Sequence, residues 1–243
     1  MKQMPLIFLF TDFGWSGPYV GQMTGAILGL DPSRVVVSLM HDAPSMRPDL
    51  AAYLLPACCR SLPSGSIVVA VVDPGVGGER AALVLETGNL TFVGPDNGLL
   101  SRLRGITRVQ RIDWRPQTLT ASFHGRDLFA PVAARLAAGD VVASSPFAVD
   151  RMVGADWPAD LERVVFVDAY GNLVTGIDAR NININQHLRV SGRLIGHAET
   201  FCQVPVGEVF WYPNSLGLVE IAVNRGSAAA GLKLALGDKI LLD

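Results

Sequence analysis

The sequence predicts two domains, an N-terminal α/β domain with a mainly parallel sheet and a small antiparallel β domain after it. Three observations predict this. Short apolar runs alternate with segments of helical periodicity up to about residue 140. The next segment contains prolines and other residues that interrupt secondary structure. Short runs rich in β-forming residues make up the remainder. A chain of 243 residues is long enough to bury two cores.

The N-terminal elements alternate between the strand and the helix periodicity. The expected strands are residues 5–10, 35–40, 67–72, 82–86 and 90–93. The expected helices are residues 19–30, 48–60 and 128–138. This alternation is typical of a parallel sheet covered by helices on both faces. Ligands of such sheets bind beyond the carboxyl ends of the strands, where Asp12 and Asp73 fall.

The character of the chain changes after residue 140. We expect an N-terminal domain of residues 1–150, a linker of residues 151–162 and a C-terminal domain of residues 163–243. In the C-terminal domain the expected strands are residues 164–167, 187–190, 208–212 and 218–223. Gly, Pro and Asn separate these runs, which is typical of a small antiparallel sheet or barrel.

Composition argues against several classes of partner and location. The net charge is −2 and like charges are well mixed, which gives no reason to expect nucleic acid or an acidic membrane surface as a partner. No stretch approaches the ~20 apolar residues of a membrane span, and the N-terminus lacks the features of a signal peptide. The three cysteines and four histidines show no zinc spacing, so we expect free thiols, no metal site and a cytoplasmic location.

Four polar segments interrupt the apolar runs of the N-terminal domain: residues 11–14, 73–80, 96–98 and 123–127. A single Asp at a strand end commonly caps the turn that follows. When several polar segments follow strands of one sheet, their side chains lie close together at one edge of that sheet. The glycines at 75–78 match no recognised phosphate-binding loop.

Two polar loops mark the C-terminal domain. They are residues 168–172 and 212–215, with residues 224–228 following a predicted strand. Their side chains suit the binding of a polar small molecule, and ordinary turns of a small barrel explain them equally well. The residues alone therefore predict a two-domain α/β protein with a carboxylate-rich cleft.

Six segments in order give a more specific indication: TDFG, VVDPGVGGER, GPDNGLL, FHGRD, DAYGNLVT and NSLGLVEIAVNRGSAA. Over essentially the whole chain the sequence resembles the S-adenosylmethionine hydroxide adenosyltransferase family, whose relatives include the fluorinase and the chlorinase. The resemblance implies a Rossmann-like N-terminal domain and a C-terminal β-barrel. It implies a homotrimer with active sites between subunits, and hydrolysis of S-adenosylmethionine to adenosine and methionine without a cofactor.

The resemblance also implies catalytic residues. The hydroxide branch of the family carries an Asp–Arg–His set that matches Asp73, Arg80 and His124. Halogenases have a Tyr in place of Asp73 and an Arg in place of Leu216, and the fluorinase has a halide-binding Ser in place of Gly125. Three alternatives stay open: an Asp–Arg pair that only pins a Gly-rich loop, a halogenase, and a non-catalytic sensor of adenosine or S-adenosylmethionine.

The implied substrate contacts come from both domains. The residues matched to them are Asp12 for the ribose diol, Asp168 for the methionine amine, Asn172 for the adenine edge, Phe201 for the adenine face, Ser215 for the methionine carboxylate, and Ala228 for backbone contacts to adenine. A carboxylate offers acceptors for both ribose hydroxyls, which suits Asp12. Leu216 leaves the recognition of the methionine carboxylate incomplete.

Overall fold

A seven-stranded mixed sheet forms the centre of the first of two units in the computed structural model, which describes residues 5–242. The units divide between Trp157 and Pro158. The strands are β1 (Ile7–Thr11), β2 (Val36–Met40), β3 (Ile67–Val71), β4 (Ala82–Thr87), β5 (Thr91–Pro95), β6 (Ile106–Ile112) and β7 (Ser144–Pro146). They are ordered β2-β1-β3-β5-β4-β6-β7. The predicted, mostly parallel sheet is confirmed, since only β4 and β7 run against the other strands.

The central strands β1 and β3 are buried along their whole length. Continuous apolar runs of this kind suit strands that are covered on both faces. The two strands pair in parallel, with Thr11 opposite Val71. Their carboxyl ends therefore lie side by side, and the polar residues that follow each strand emerge at the same edge of the sheet.

Three helices accompany this sheet: α1 (Tyr19–Leu30), α2 (Pro48–Cys58) and α3 (Ala130–Ala138). A π-helical turn over Gly125–Phe129 precedes α3, so the α-helix begins two residues later than the expected residue 128. π-Helical turns are frequent at functional sites. Here the turn follows directly after His124.

Residues 151–157, expected to be part of a linker, belong to the first unit and pack within it. The Val153 N–H donates to Asp96 Oδ1 at 3.0 Å, and the Arg102 guanidinium donates to the Gly154 carbonyl at 2.8 Å. The Trp157 ring fills the space beside Gly98, where a Cβ atom would come within 2.2 Å of the ring.

Two antiparallel sheets and one short helix make up the second unit. Its elements are β8 (Leu161–Val167), β9 (Leu173–Asp178), β10 (Leu188–Val190), β11 (Arg193–Ile195), β12 (Val209–Pro213), β13 (Leu218–Val223), α4 (Ala228–Leu232) and β14 (Leu241–Leu242). The sheets are ordered β12-β13-β9-β8 and β11-β10-β14, which confirms the predicted antiparallel arrangement. Among the described residues neither sheet closes on itself. Isolated bridges pair Arg163 of β8 with Lys239, which precedes β14, and Trp211 of β12 with His197, which follows β11.

Within residues 5–242, no helix is both long and apolar enough to cross a membrane. The cysteines are free: Cys59 is buried, Cys58 is half-buried and Cys202 is exposed. Burial raises the pKa of the Cys58 thiol to about 12.

Candidate active site

Asp12 and Asp73 mark the paired ends of β1 and β3. Asp12 Oδ2 accepts the backbone N–H of Met46 at 2.9 Å. Met46 has a φ of +56°, a left-handed conformation that is uncommon for a residue with a side chain and often marks functional sites. Burial raises the pKa of Asp12, the Met46 hydrogen bond opposes this, and the nearby Asp73 charge adds to it.

Asp73 forms a two-pronged ion pair with Arg80. The Arg80 Nε lies 3.0 Å from both carboxylate oxygens, and its Nη2 also donates to Oδ2. The side chains are only 3% (Asp73) and 11% (Arg80) exposed. Paired hydrogen bonds of this kind fix orientation as well as charge. The intervening loop is tight, since Gly77 has a φ of +82° and a Cβ there would lie 2.5 Å from the Ala121 carbonyl oxygen.

His124 completes this cluster through the same guanidinium. Arg80 Nη2 lies 3.2 Å from His124 Nδ1. Because a guanidinium only donates hydrogen bonds, Nδ1 must accept, which places the proton of a neutral imidazole on Nε2. Burial, followed by the Arg80 charge, lowers the pKa of His124, while Asp73 opposes the shift. The ring is therefore held in the neutral form.

Asn97 is a member of the cluster to which sequence analysis gave no role. Its Nδ2 donates to the Val72 carbonyl at 2.8 Å and lies 3.4 Å from Asp73 Oδ1. The polar segment at residues 96–98 was visible in the sequence, but its contact with Asp73 depends on the pairing of β3 with β5. Asn97 fixes the backbone and the carboxylate together.

The cluster opens onto a cavity of about 280 Å³ whose lining includes Asp12, Asp73 and His124. Phe13, Tyr19 and Phe123 form one wall, with ring centroids 5.4–5.9 Å apart in edge-to-face contacts. Such rings place an apolar surface beside the polar groups.

Gly125 lies against this aromatic wall. A Cβ atom there would meet Phe123 at 3.1 Å, Met23 Sδ at 3.2 Å and Phe13 at 3.3 Å. A larger residue at position 125 would therefore have to displace these side chains.

A second cavity, of about 770 Å³, lies in the second unit. It is lined by four of the predicted binding residues, Asp168, Asn172, Phe201 and Ser215. The β8–β9 hairpin holds Asp168 firmly, because its Oδ1 accepts the N–H groups of Tyr170 and Asn172 at 2.9 and 2.8 Å. Its Oδ2 accepts Asn172 Nδ2 at 2.9 Å.

The cavity wall also contains residues to which sequence analysis assigned no individual role: Tyr212 and Asn214 lie in a polar loop that it singled out, and Glu220 lies within β13. The Tyr212 hydroxyl donates to Glu220 Oε1 at 2.6 Å, and Asn214 Nδ2 donates to Glu220 Oε2 at 2.8 Å. Burial, followed by the hydrogen bond to Glu220, raises the pKa of Tyr212. Phe201 packs against Tyr212 with a centroid distance of 5.6 Å. Arg225 also lines this cavity, at a φ of +56°.

The predicted residues form two groups, one in each unit, and only Ala228 belongs to neither. Asp168, Asn172, Phe201 and Ser215 line the cavity of the second unit. Asp12, Asp73, Arg80 and His124 lie together in the first unit. Ala228 is fully buried at the start of α4, within the hydrophobic core, and is not among the residues that line the cavity. Across residues 5–242, no three His, Cys, Asp or Glu side chains are grouped in a way that would hold a metal ion.

Models of known protein families match a large part of each unit. The family model of the SAM hydroxide adenosyltransferase N-terminal domain matches residues 7–145, and that of the C-terminal domain matches residues 162–241. The chain belongs to the SAM hydroxide adenosyltransferase family. The resemblance in the six sequence segments is confirmed.

Relatives of this family are similar over their whole length. The chain is 36% identical to an (R)-S-adenosyl-L-methionine hydrolase of Salinispora arenicola, over 99% of this chain and 98% of that one. It is 34% identical to an (R)-S-adenosyl-L-methionine hydrolase of Thermus thermophilus, over 97% and 98% of the two chains. A solved structure of an uncharacterized conserved protein from Thermotoga maritima superposes with a TM-score of 0.82 at 28% identity, covering 98% of this chain and 99% of that one.

The lowered pKa of His124 predicts the sign of a pH effect on stability. The folded protein binds a proton at His124 less readily than the unfolded chain, whose imidazole has the ordinary value of 6.5. The contribution of His124 to stability is therefore fully present above pH 6.5. It decreases as the pH falls from 6.5 toward the lower pKa of the folded state. The free energy of unfolding, measured with urea between pH 7.5 and 5, should decrease less for His124→Gln than for the wild type. Parallel curves for the two proteins would contradict the shift.

Proposed function

We propose that this protein hydrolyses S-adenosylmethionine to adenosine and L-methionine. The observation that carries the proposal is the Asp73–Arg80–His124 cluster at the edge of a cavity, in a chain of this family. Similar proteins are named for the R form of the substrate, so we propose the (R)-sulfonium diastereomer as the form cleaved here.

The reaction is a displacement at the ribose 5′ carbon. The oxygen of water or hydroxide forms a bond to C5′ while the C5′–S bond breaks, and the electron pair of that bond stays on sulfur. The sulfonium thereby becomes the neutral thioether of methionine, and one proton is released. A thioether is a good leaving group, so no general acid is required. Holding water in line supplies much of the effect, since positioning is worth about 7–11 kcal/mol in ideal cases.

The geometry of the cluster supports different roles for His124 and Asp73. Arg80 occupies His124 Nδ1, which leaves Nε2–H as the polar atom available to a ligand. We therefore assign His124 as a donor that stabilises the attacking oxygen, and Asp73 as the acceptor of its proton. Arg80 orients both groups.

The remaining predicted residues other than Ala228 are proposed to bind the substrate. Asp12, already held by Met46, has acceptor capacity left for the ribose hydroxyls. In the second unit, Asp168 is proposed to bind the methionine amine, Asn172 the adenine edge and Ser215 the methionine carboxylate. Phe201 is proposed to pack on adenine. Ala228 is fully buried, so it presents no backbone group to the cavity and is not retained as a contact.

A homotrimer with active sites between subunits is part of the proposal. The first cavity offers groups for water and ribose, and the second offers groups for adenine and methionine, so each is complete only with the other. Large apolar side chains at the two cavities are left exposed, namely Met46 at 71% and Tyr170 at 79%. We propose that the first unit of one subunit and the second unit of its neighbour form each site.

Several finer features are also proposed. The isolated bridges Arg163–Lys239 and His197–Trp211 pair strands of one C-terminal sheet with residues beside strands of the other, which supports a β-barrel there. The Rossmann-like description of the N-terminal domain is supported by its parallel strands and flanking helices. The balanced reaction calls for no cofactor, nucleic acid or membrane, and free cysteines support a cytoplasmic location.

The two alternative functions are not favoured. A halogenase would have a Tyr at Asp73, and the fluorinase serine at Gly125 would press on Phe123, Met23 and Phe13. A sensor has no need of the hydrogen-bonded Asp73, Arg80 and His124, and the similar proteins are named as hydrolases.

Substitutions in the cluster test the proposed chemistry. With purified protein and S-adenosylmethionine containing both sulfonium diastereomers, chromatography of adenosine and methionine gives the turnover. Asp73→Asn and His124→Ala should lower turnover about 10²–10⁴-fold, the usual effect of removing a group that handles the proton. His124→Gln should retain much more activity, because the amide can still donate from near the position of Nε2.

The exposed His187 provides a matched control, and His187→Ala should leave turnover unchanged. Equal losses in His124→Gln and His124→Ala would contradict the donor role. If Asp73 and Arg80 only pin the loop, Asp73→Asn will lose stability but keep normal turnover per folded molecule.

Mixing two impaired variants tests the shared site. Asp73→Asn damages the first cavity and Asp168→Asn the second, so each homotrimer should turn over slowly. Random 1:1 co-assembly should restore about a quarter of the wild-type rate, since about one interface in four would combine two intact halves. Sedimentation of the mixture checks its trimeric state. A mixture no more active than its parents would contradict a site built from two subunits.

A further inference from the structure

Glu220 is a buried carboxylate on the wall of the second cavity. The residue is 5% exposed, although it lies in β13 among apolar neighbours. Both of its oxygens accept hydrogen bonds, one from the Tyr212 hydroxyl at 2.6 Å and one from the Asn214 amide at 2.8 Å. Neither donor carries a charge. In the part of the chain that the structure describes, no ion pair joins Glu220 to a Lys, Arg or His.

This arrangement leaves the buried carboxylate without an ion-pair partner, although Arg225 lines the same cavity. Burying a carboxylate is costly unless a cation or several hydrogen bonds offset the loss of water, and two neutral donors offset it only in part. Asp73 illustrates the contrast, because its buried carboxylate has Arg80 as a partner. A positive group supplied by a ligand in the cavity would complete the electrostatics of Glu220.

The proposed substrate carries two positive groups, an ammonium and a sulfonium. Asp168, on the β8–β9 hairpin that lines the same cavity, is the residue proposed for the ammonium. The sulfonium then remains for the second carboxylate, and the adjacent ring of Tyr212 also favours a cation nearby. We infer that Glu220 is a specificity-determining residue that recognises the sulfonium charge of S-adenosylmethionine and discriminates against its neutral thioether analogues. This inference rests on the proposed function.

A contact between Glu220 and the sulfonium acts mainly on the bound substrate. The sulfonium loses its charge as the C5′–S bond breaks, so attraction to Glu220 is strongest before the transition state. An interaction of that kind stabilises the bound substrate more than the transition state, and it lowers KM without raising kcat. It also weakens on conversion to products, because the methionine thioether is neutral.

Two uncleaved probes test the inference by calorimetric titration. Sinefungin carries a protonated amine where S-adenosylmethionine has its sulfonium, and S-adenosylhomocysteine is a neutral thioether at that position. The wild type should bind sinefungin more tightly. Glu220→Gln should weaken sinefungin binding about 10–100-fold, the range expected for loss of a nearby opposite charge. It should change S-adenosylhomocysteine binding by less than about threefold, a result that also shows the variant to be folded.

Tyr212→Phe is the matched control, since it removes a hydrogen bond to Glu220 and keeps the charge. It should preserve the preference for sinefungin. Equal weakening of both probes by Glu220→Gln, or no change in either, would overturn the inference while wild-type cleavage of S-adenosylmethionine left the proposed function intact. A wild-type protein that bound neither probe and cleaved no S-adenosylmethionine would contradict both.

Discussion

The buried ion pair between Asp73 and Arg80 is the interaction on which the candidate active site depends. It joins the end of β3 to the far side of a glycine-rich loop, and its guanidinium reaches on to His124. Asn97 ties the same carboxylate to the backbone of Val72. Removing one partner of a buried pair leaves an uncompensated charge and typically costs about 3–5 kcal/mol. The pair therefore serves both the local fold and the orientation of the reacting groups.

The same pair constrains the chemistry. Burial, followed by the Arg80 charge, lowers the pKa of His124, and the donation from Arg80 to Nδ1 leaves the proton of the neutral imidazole on Nε2. A neutral donor and an ionised acceptor beside each other suit the binding of one water molecule. The side chains of Phe13, Tyr19 and Phe123 present an apolar surface to the same cavity. A drier pocket favours a reaction in which opposite charges are neutralised.

Much of the fold follows from local pattern. The strands β1 and β3 are predictable because each is a continuous apolar run, and parallel pairing then brings Asp12 and Asp73 together. The strand β6 has exposed and half-buried positions along its length, and β7 has only three residues, so neither gives a clear periodic signal. The packing of residues 151–157 within the first unit depends on contacts such as that of Trp157 with Gly98, which no local pattern reveals.

The candidate site shows the same division between local and distant information. Its residue types were found through the six family segments, but the contact of Arg80 with His124 joins residues 44 apart and fixes the tautomer only in three dimensions. Glu220 was missed because it lies within an apolar strand, where a single charged residue is expected to face solvent. The left-handed conformation of Met46 has no sequence signal, since the residue is not Gly or Asn.

The most direct test of the central claim is the fate of solvent oxygen. S-adenosylmethionine is incubated with the protein in ¹⁸O-water, and the adenosine formed is analysed by mass spectrometry. We expect one ¹⁸O atom at the 5′ position of adenosine, methionine without label, and formation of both products about 10²–10⁴-fold slower in Asp73→Asn. Intact substrate that stays bound, or adenosine without the label, would contradict it.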